Sequence, residues 1–158
     1  MFRLFYLPLV FLCLVLYCTH AFPWSGEVVR VIDGDTVIVI KNHHRVKIRL
    51  SCIDAPERDQ PYGKRAKQFL SRLIFGKIVE VEEHGRDRYS RVIADLYLLV
   101  DHDKIWINEE MVEEGLAWVY RRYCPITPLL EDESEAHKLK RGLWSQTQPI
   151  PPWKWRRR

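Results

Sequence analysis

Two short stretches of this 158-residue chain concentrate side chains that do chemistry. In IDGDT, Asp33 and Asp35 flank Gly34. In IRLSCIDAPER, Ile48 to Arg58, an alternating apolar run carries Arg49 and then delivers Asp54 and Glu57 around Pro56. Asp-Gly is ordinary hairpin chemistry, and each acid alone could be a strand end or a loop residue. Together they ask for more. Where one strand begins at Asp35 and its antiparallel neighbour ends near Asp54, the start of the first lies beside the end of the second. Two carboxylates then converge, and like charges that close need a cation between them. Oxygen ligands with no Cys or His cluster beside them favour a hard ion, calcium or magnesium. The extended geometry that Pro56 imposes on Ala55 can turn the Ala55 carbonyl toward the same ion.

The elements that must position these groups follow from periodicity. Glu27 to Ile32 and Thr36 to Lys41 are rich in Val and Ile and read as strands joined by the Asp-Gly turn. Val46, Ile48 and Leu50 alternate with Lys47 and Arg49, a third strand with one apolar face. Ala66, Phe69, Leu70 and Leu73 fall at i, i+3, i+4 and i+7, a helix from Lys64 that ends before Gly76. Ile78 to Val81 and Val92 to Val100 supply a fourth and a fifth strand, separated by EEHGRDRYSR, which reads as a charged loop. Asn108 reads as the cap of a short helix through Glu114, and a last helix spans about Leu130 to Arg141, stopped by Gly142. The expected class is mainly β: a five-stranded barrel of OB type with about three α-helices, an architecture whose open face binds oligonucleotides or oligosaccharides.

Both ends differ from this middle. Arg3 leads an apolar run from Leu4 to Cys18, and the small residues Thr19 and Ala21 follow. Residues 1–21 therefore read as a secretory signal peptide, since the run is short for a bilayer span of roughly 20 apolar residues. Export would leave Cys52 and Cys124 in an oxidising compartment, free either to pair or to remain small buried hydrophobes. Residues 26–145 form the expected domain, and 146–158 a basic aromatic tail, PPWKWRRR. Cations interleaved with Trp153 and Trp155 suit single-stranded nucleic acid, an anionic membrane surface, or simple solvation at a terminus. The net charge of +4 suggests anionic partners without selecting among them.

IDGDT, IRLSCIDAPE, DRYSR, GLAWVYRRY and RGLW, in that order, resemble the staphylococcal nuclease (thermonuclease) family from Gly26 to Trp144. The resemblance implies calcium ligands at Asp35, Asp54 and the carbonyl of Ala55. It implies a water-activating glutamate at Glu57, phosphate-binding arginines at Arg49 and Arg91, and a phosphate-contacting tyrosine at Tyr89. Tyr120 and Tyr123 are candidates to stack a base or touch the sugar, against the alternative of core aromatics. The implied protein is an exported, secreted or periplasmic, monomeric Ca2+-dependent endonuclease acting on DNA and RNA and leaving 3′-phosphate ends, without stable membrane association once the signal is cut. A diverged barrel that only binds nucleic acid or a protein partner, and a glycan-binding barrel, are the rival readings. Two departures stand out. Ser90 replaces the usual glycine of the DRYSR turn, which is penalised if that position needs positive φ, and the loop from Glu57 to Tyr62 is short. His43, His44 and His84 read as turn residues with no metal role.

Overall fold

A computed structural model describes residues 22–124 and 127–158; the expected signal peptide over residues 1–21 lies outside them. The strands are β1 (Trp24–Val31), β2 (Thr36–Lys41), β3 (His44–Leu50), β4 (Ile53–Asp54), β5 (Ile78–Arg86), β6 (Val92–Val100), β7 (Asp103–Trp106) and β8 (Trp118–Val119). The helices are α1 (Gly63–Ile74), α2 (Ile107–Glu113), α3 (Thr127–Lys138) and α4 (Pro152–Trp155), with a single 3-10 turn at Gly142–Ser145. β1, β2 and β3 form an antiparallel meander, β5 pairs with β1 and β6 with β5. A parallel pairing of β3 with β6 through Ile48 and Val92 closes the barrel. This is the expected five-stranded OB-type closure, mainly β with helices packed outside it.

Alternation fills the interior: Val28, Val37, Val39, Ile48, Leu50, Val79, Val81, Val92, Ala94 and Leu96 are all buried. α1 lays Ala66, Leu70 and Ile74 against this core, with Phe69 and Leu73 half-buried beside them. A smaller cluster of Ala136, Leu143 and Trp144 packs on Tyr62 and Trp118, which is how the RGLW segment is held. Cys52 and Cys124 form a disulfide across 72 residues. In the chain-entropy model a crosslink of that span is worth about 4 kcal/mol.

Four local expectations are corrected. β5 runs on through Arg86, because the polar stretch after Val81 lies on the barrel rim, where strand residues face solvent and a bulge at Gly85 bends the strand. Of the three histidines expected in turns, His84 therefore sits in a strand, where its Nε2 lies 2.8 Å from Asp95 Oδ2, and His44 opens β3. α3 spans Thr127–Lys138, earlier at both ends than the periodicity suggested. Asn108 does not cap α2; Trp106 holds that position without a side-chain bond. Fully buried, Asn108 instead donates to the Ser51 carbonyl and to Asp95 Oδ1, both at 3.0 Å, and accepts from Leu96 N–H at 3.2 Å. Ser51 Oγ also bonds Asp95, so this network fixes the chain where β3 turns into the IDAPE segment.

Candidate active site

The register of β2 and β3 sets Thr36 opposite Arg49, and the next step outward joins Leu50 N–H to the Asp35 carbonyl at 2.8 Å. Asp35 thus lies beside the end of β3, four residues before Asp54. Arg49 reaches both acids: its Nη1 is 3.1 Å from Asp35 Oδ2 and its Nη2 is 2.7 Å from Asp54 Oδ1. Asp35 accepts two further bonds, from Thr36 Oγ1 at 3.0 Å and from Ala55 N–H at 2.7 Å. Asp54 is 1 % exposed, and burial pushes its carboxyl above the ordinary value even though Arg156 and Arg49 pull it down. A carboxylate so placed remains short of positive charge.

Two glycines make the approach of these segments feasible. A Cβ on Gly34 would meet Ala55 Cβ at 2.6 Å and Ala66 Cβ at 2.7 Å, so the IDGDT turn can lie flat between α1 and the loop after β4. A Cβ on Gly63 would meet the Glu57 carbonyl oxygen at 1.8 Å. That loop is tight: Glu57 N–H donates to Gln60 Oε1 at 3.1 Å, and Gln60 N–H donates to the Glu57 carbonyl at 2.9 Å. The Glu57 backbone is held while its side chain stays 36 % exposed.

The cation facing these acids from outside is one that sequence reasoning missed. Arg156, in the last turn of the chain, donates through Nη2 to Asp54 Oδ2 at 2.8 Å and through Nη1 to Glu57 Oε1 at 2.6 Å and Asp54 Oδ1 at 3.2 Å. These bonds, the Asp54 ones first, hold its proton still more firmly than usual. The tail is brought there by packing. Gln60 Nε2 donates to the Ile150 carbonyl, Pro152 is buried, and Trp153 stacks on Tyr120 with centroids 5.2 Å apart and planes 9° from parallel. Trp153 also meets Trp118 edge-on at 5.8 Å.

The remaining candidates lie around this centre. In the turn after β5, Asp87 Oδ1 accepts from Tyr89 and Arg91 N–H groups at 2.9 and 3.0 Å, and Asp87 Oδ2 from Arg91 Nε at 2.7 Å. Ser90 has φ +62°, so the position does require the left-handed conformation in which serine is penalised. Arg91 precedes β6, whose first residue pairs with Ile48, and so emerges near the strand that carries Arg49. Among the described residues no ion pair joins Arg91 to Asp35, Asp54 or Glu57; its guanidinium lies 5.6 Å from the ring of Tyr89, itself exposed. Tyr120 follows β8, which pairs with β4, and its N–H donates to the Cys52 carbonyl at 2.7 Å. Tyr123 is exposed and edge-on to Tyr120 at 4.9 Å.

Could this place hold a hard cation? Among the described residues no group of three or more His, Cys, Asp or Glu gathers tightly enough to ligate one with side chains alone. Asp35 and Asp54, with the carbonyl of Ala55 and water, nevertheless match the mixed oxygen set that calcium takes. The Arg156 guanidinium already bonds Asp54 and Glu57, so the site accepts positive charge. The donor set fits the ion.

Comparison with known proteins bears on the same segments. Residues 47–146 match the model described as staphylococcal nuclease homologue. An "Uncharacterized endonuclease" of Escherichia coli is 45 % identical over 135 residues, 84 % of this chain and 85 % of that one. A "Micrococcal nuclease" of Shigella flexneri is 43 % identical over 141 residues, 85 % of this chain and 81 % of that one. A "Probable staphylococcal-like nuclease CAN1" of rice, Oryza sativa subsp. japonica, is 39 % identical over 113 residues, 72 % of this chain and 33 % of that one. Matched over most of its described length by the family model and by these relatives, and folded as the closed five-stranded barrel its motifs imply, this chain belongs to the staphylococcal nuclease family.

Proposed function

We propose that this protein is an exported, calcium-dependent endonuclease that hydrolyses DNA and RNA to 3′-phosphate ends. The observation that carries the reading is the convergence of Asp35, Asp54 and Arg49, with Glu57 joined to Asp54 through Arg156. Calcium held by Asp35, Asp54 and the Ala55 carbonyl would supply fixed positive charge next to a scissile phosphodiester. Arg49 contributes a planar fork that can grip a pair of phosphate oxygens as negative charge builds on them. Arg91 has the same role from the turn that leads into β6; among the described residues its guanidinium is engaged through Nε alone, which leaves its Nη atoms to a ligand. Glu57, exposed on one side and anchored through its backbone, orients a water and takes its proton. The 5′ oxygen leaves.

Tyr89, Tyr120 and Tyr123 offer ring faces and hydroxyls for the sugar or base on either side of the scissile bond. Export is supported by the apolar leader of residues 4–18 and by the Cys52–Cys124 disulfide, which suits an oxidising compartment. The mature protein is proposed to act as a monomer free of the membrane. The test is cleavage of single-stranded DNA, duplex DNA and RNA by purified protein in calcium, in magnesium and in EGTA, with the ends identified by phosphatase sensitivity. Calcium-dependent cutting to 3′-phosphate ends is expected. Cutting that EGTA leaves unchanged refutes the proposal.

A further inference from the structure

The C-terminal segment has no part in the chemistry above, yet its side chains occupy the surfaces that the chemistry needs. Its stem is tied down at three points: Gln60 on the Ile150 carbonyl, Pro152 in the surface of the domain, and Trp153 on Tyr120 and Trp118. Its head is Arg156, whose side chain is 43 % exposed while it bonds both oxygens of Asp54 and one of Glu57. A guanidinium so placed and a divalent cation at Asp54 require the same lone pairs. Arg156 likewise engages Glu57 Oε1, one of the two oxygens that could take a proton from water. The parallel stack of Trp153 on Tyr120 covers a ring face that a nucleobase would use.

Resting on the reading that Asp54 holds calcium and Glu57 activates water, we propose that residues 150–158 form an autoinhibitory strap whose Arg156 competes with the cation for Asp54 and with water for Glu57. The attachment is graded: the stem is packed, while the head is open to solvent on one side, so that a competing ligand can reach the pair it makes. Substrate works in the same direction as calcium. Arg156, Arg157 and Arg158 form a cationic end that a polyanion draws off the carboxylates and onto its own phosphates. Trp153 and Trp155, once freed, can stack on the strand that displaced them. The strap keeps the enzyme latent at low calcium and converts to a substrate contact when both ligands are present.

Calcium affinity measured by calorimetry on the whole mature protein tests this directly, without relying on turnover. Arg156→Ala is expected to bind calcium at least fivefold more tightly than wild type and to reach half-maximal cleavage at correspondingly lower calcium. Trp153→Ala, which unfastens the strap and leaves every carboxylate and cation in place, is expected to move the affinity the same way. Equal or weaker calcium binding in Arg156→Ala overturns the proposal. So does tighter binding in Arg156→Ala with none in Trp153→Ala, which would reduce Arg156 to a nearby charge. Either result in a protein that still cuts with calcium leaves the nuclease reading intact, whereas no calcium binding and no cleavage by any variant removes both.

Discussion

Replacing Arg49 by lysine keeps the charge and removes the geometry. In the folded protein one guanidinium spans two carboxylates, 3.1 Å from Asp35 and 2.7 Å from Asp54, and its Nη1 also donates to the Leu50 carbonyl at 3.1 Å. An ammonium is a single point of charge and cannot bridge both acids. One charge-assisted hydrogen bond is lost, about 1.5–3 kcal/mol at a site this enclosed, which lowers Tm by roughly 5–10 °C. In the reaction, lysine can meet one phosphate oxygen where arginine meets two. Removing one preorganised donor to a developing charge costs about 10²–10³ in rate. Arg49→Lys is therefore expected to fold, to melt earlier, and to lose about two to three orders of magnitude in kcat/KM on single-stranded DNA at saturating calcium. Assays well below the lowered Tm separate the two effects. A variant that melts earlier but cuts within threefold of wild type refutes the phosphate-gripping role and leaves Arg49 as a structural counter-ion.

Two further outcomes follow from other parts of the fold. Ser90→Gly relieves a left-handed conformation worth roughly 1–2 kcal/mol at about 0.5–1 kcal/mol of added chain entropy, so Tm should rise by a few degrees in a melt; a fall would show that serine is not strained at φ +62°. Burial, reinforced by Glu113, Glu131 and Glu135, raises the Asp132 carboxyl above its ordinary value, and its buried Oδ2 has no hydrogen-bond partner among the described residues. The sign is set by the charged form: a carboxyl whose folded pKa is raised destabilises the fold above that pKa, and the penalty fades as pH falls through it. Asp132→Asn should therefore raise Tm at pH 8, with the gain shrinking toward pH 4; a gain that is constant across that range would contradict it.

Strands and helices that bury one face were legible because alternation and i, i+4 spacing report burial directly, as Val37, Val39, Ile48 and Leu50 do for the barrel and Ala66 and Leu70 for α1. The meeting of Asp35 with Asp54 was legible for the same reason, since antiparallel neighbours fix which ends adjoin. What escaped were features decided by partners distant in sequence. The polar half of β5 carries no alternation because its side chains lie at the rim, so it resembled a loop. Asn108 looked like a cap by residue type, but the buried Asp95 and Ser51 claimed its amide. Arg156 meets Asp54 and Glu57 across 102 and 99 residues. No local periodicity encodes that contact, and the tail's interleaved tryptophans and cations were equally suited to nucleic acid, membrane or solvent.

Glu57→Gln is the sharpest probe of the site as a catalyst. Glutamine keeps the side chain's shape and can still accept from Arg156, while the backbone bonds to Gln60 that anchor the loop are untouched. A group that no longer takes a proton should cost about 10²–10⁴ in cleavage rate, with calcium affinity, DNA affinity and Tm near those of wild type. A rate within tenfold of wild type, with binding equally preserved, would mean that Glu57 does not activate the attacking water.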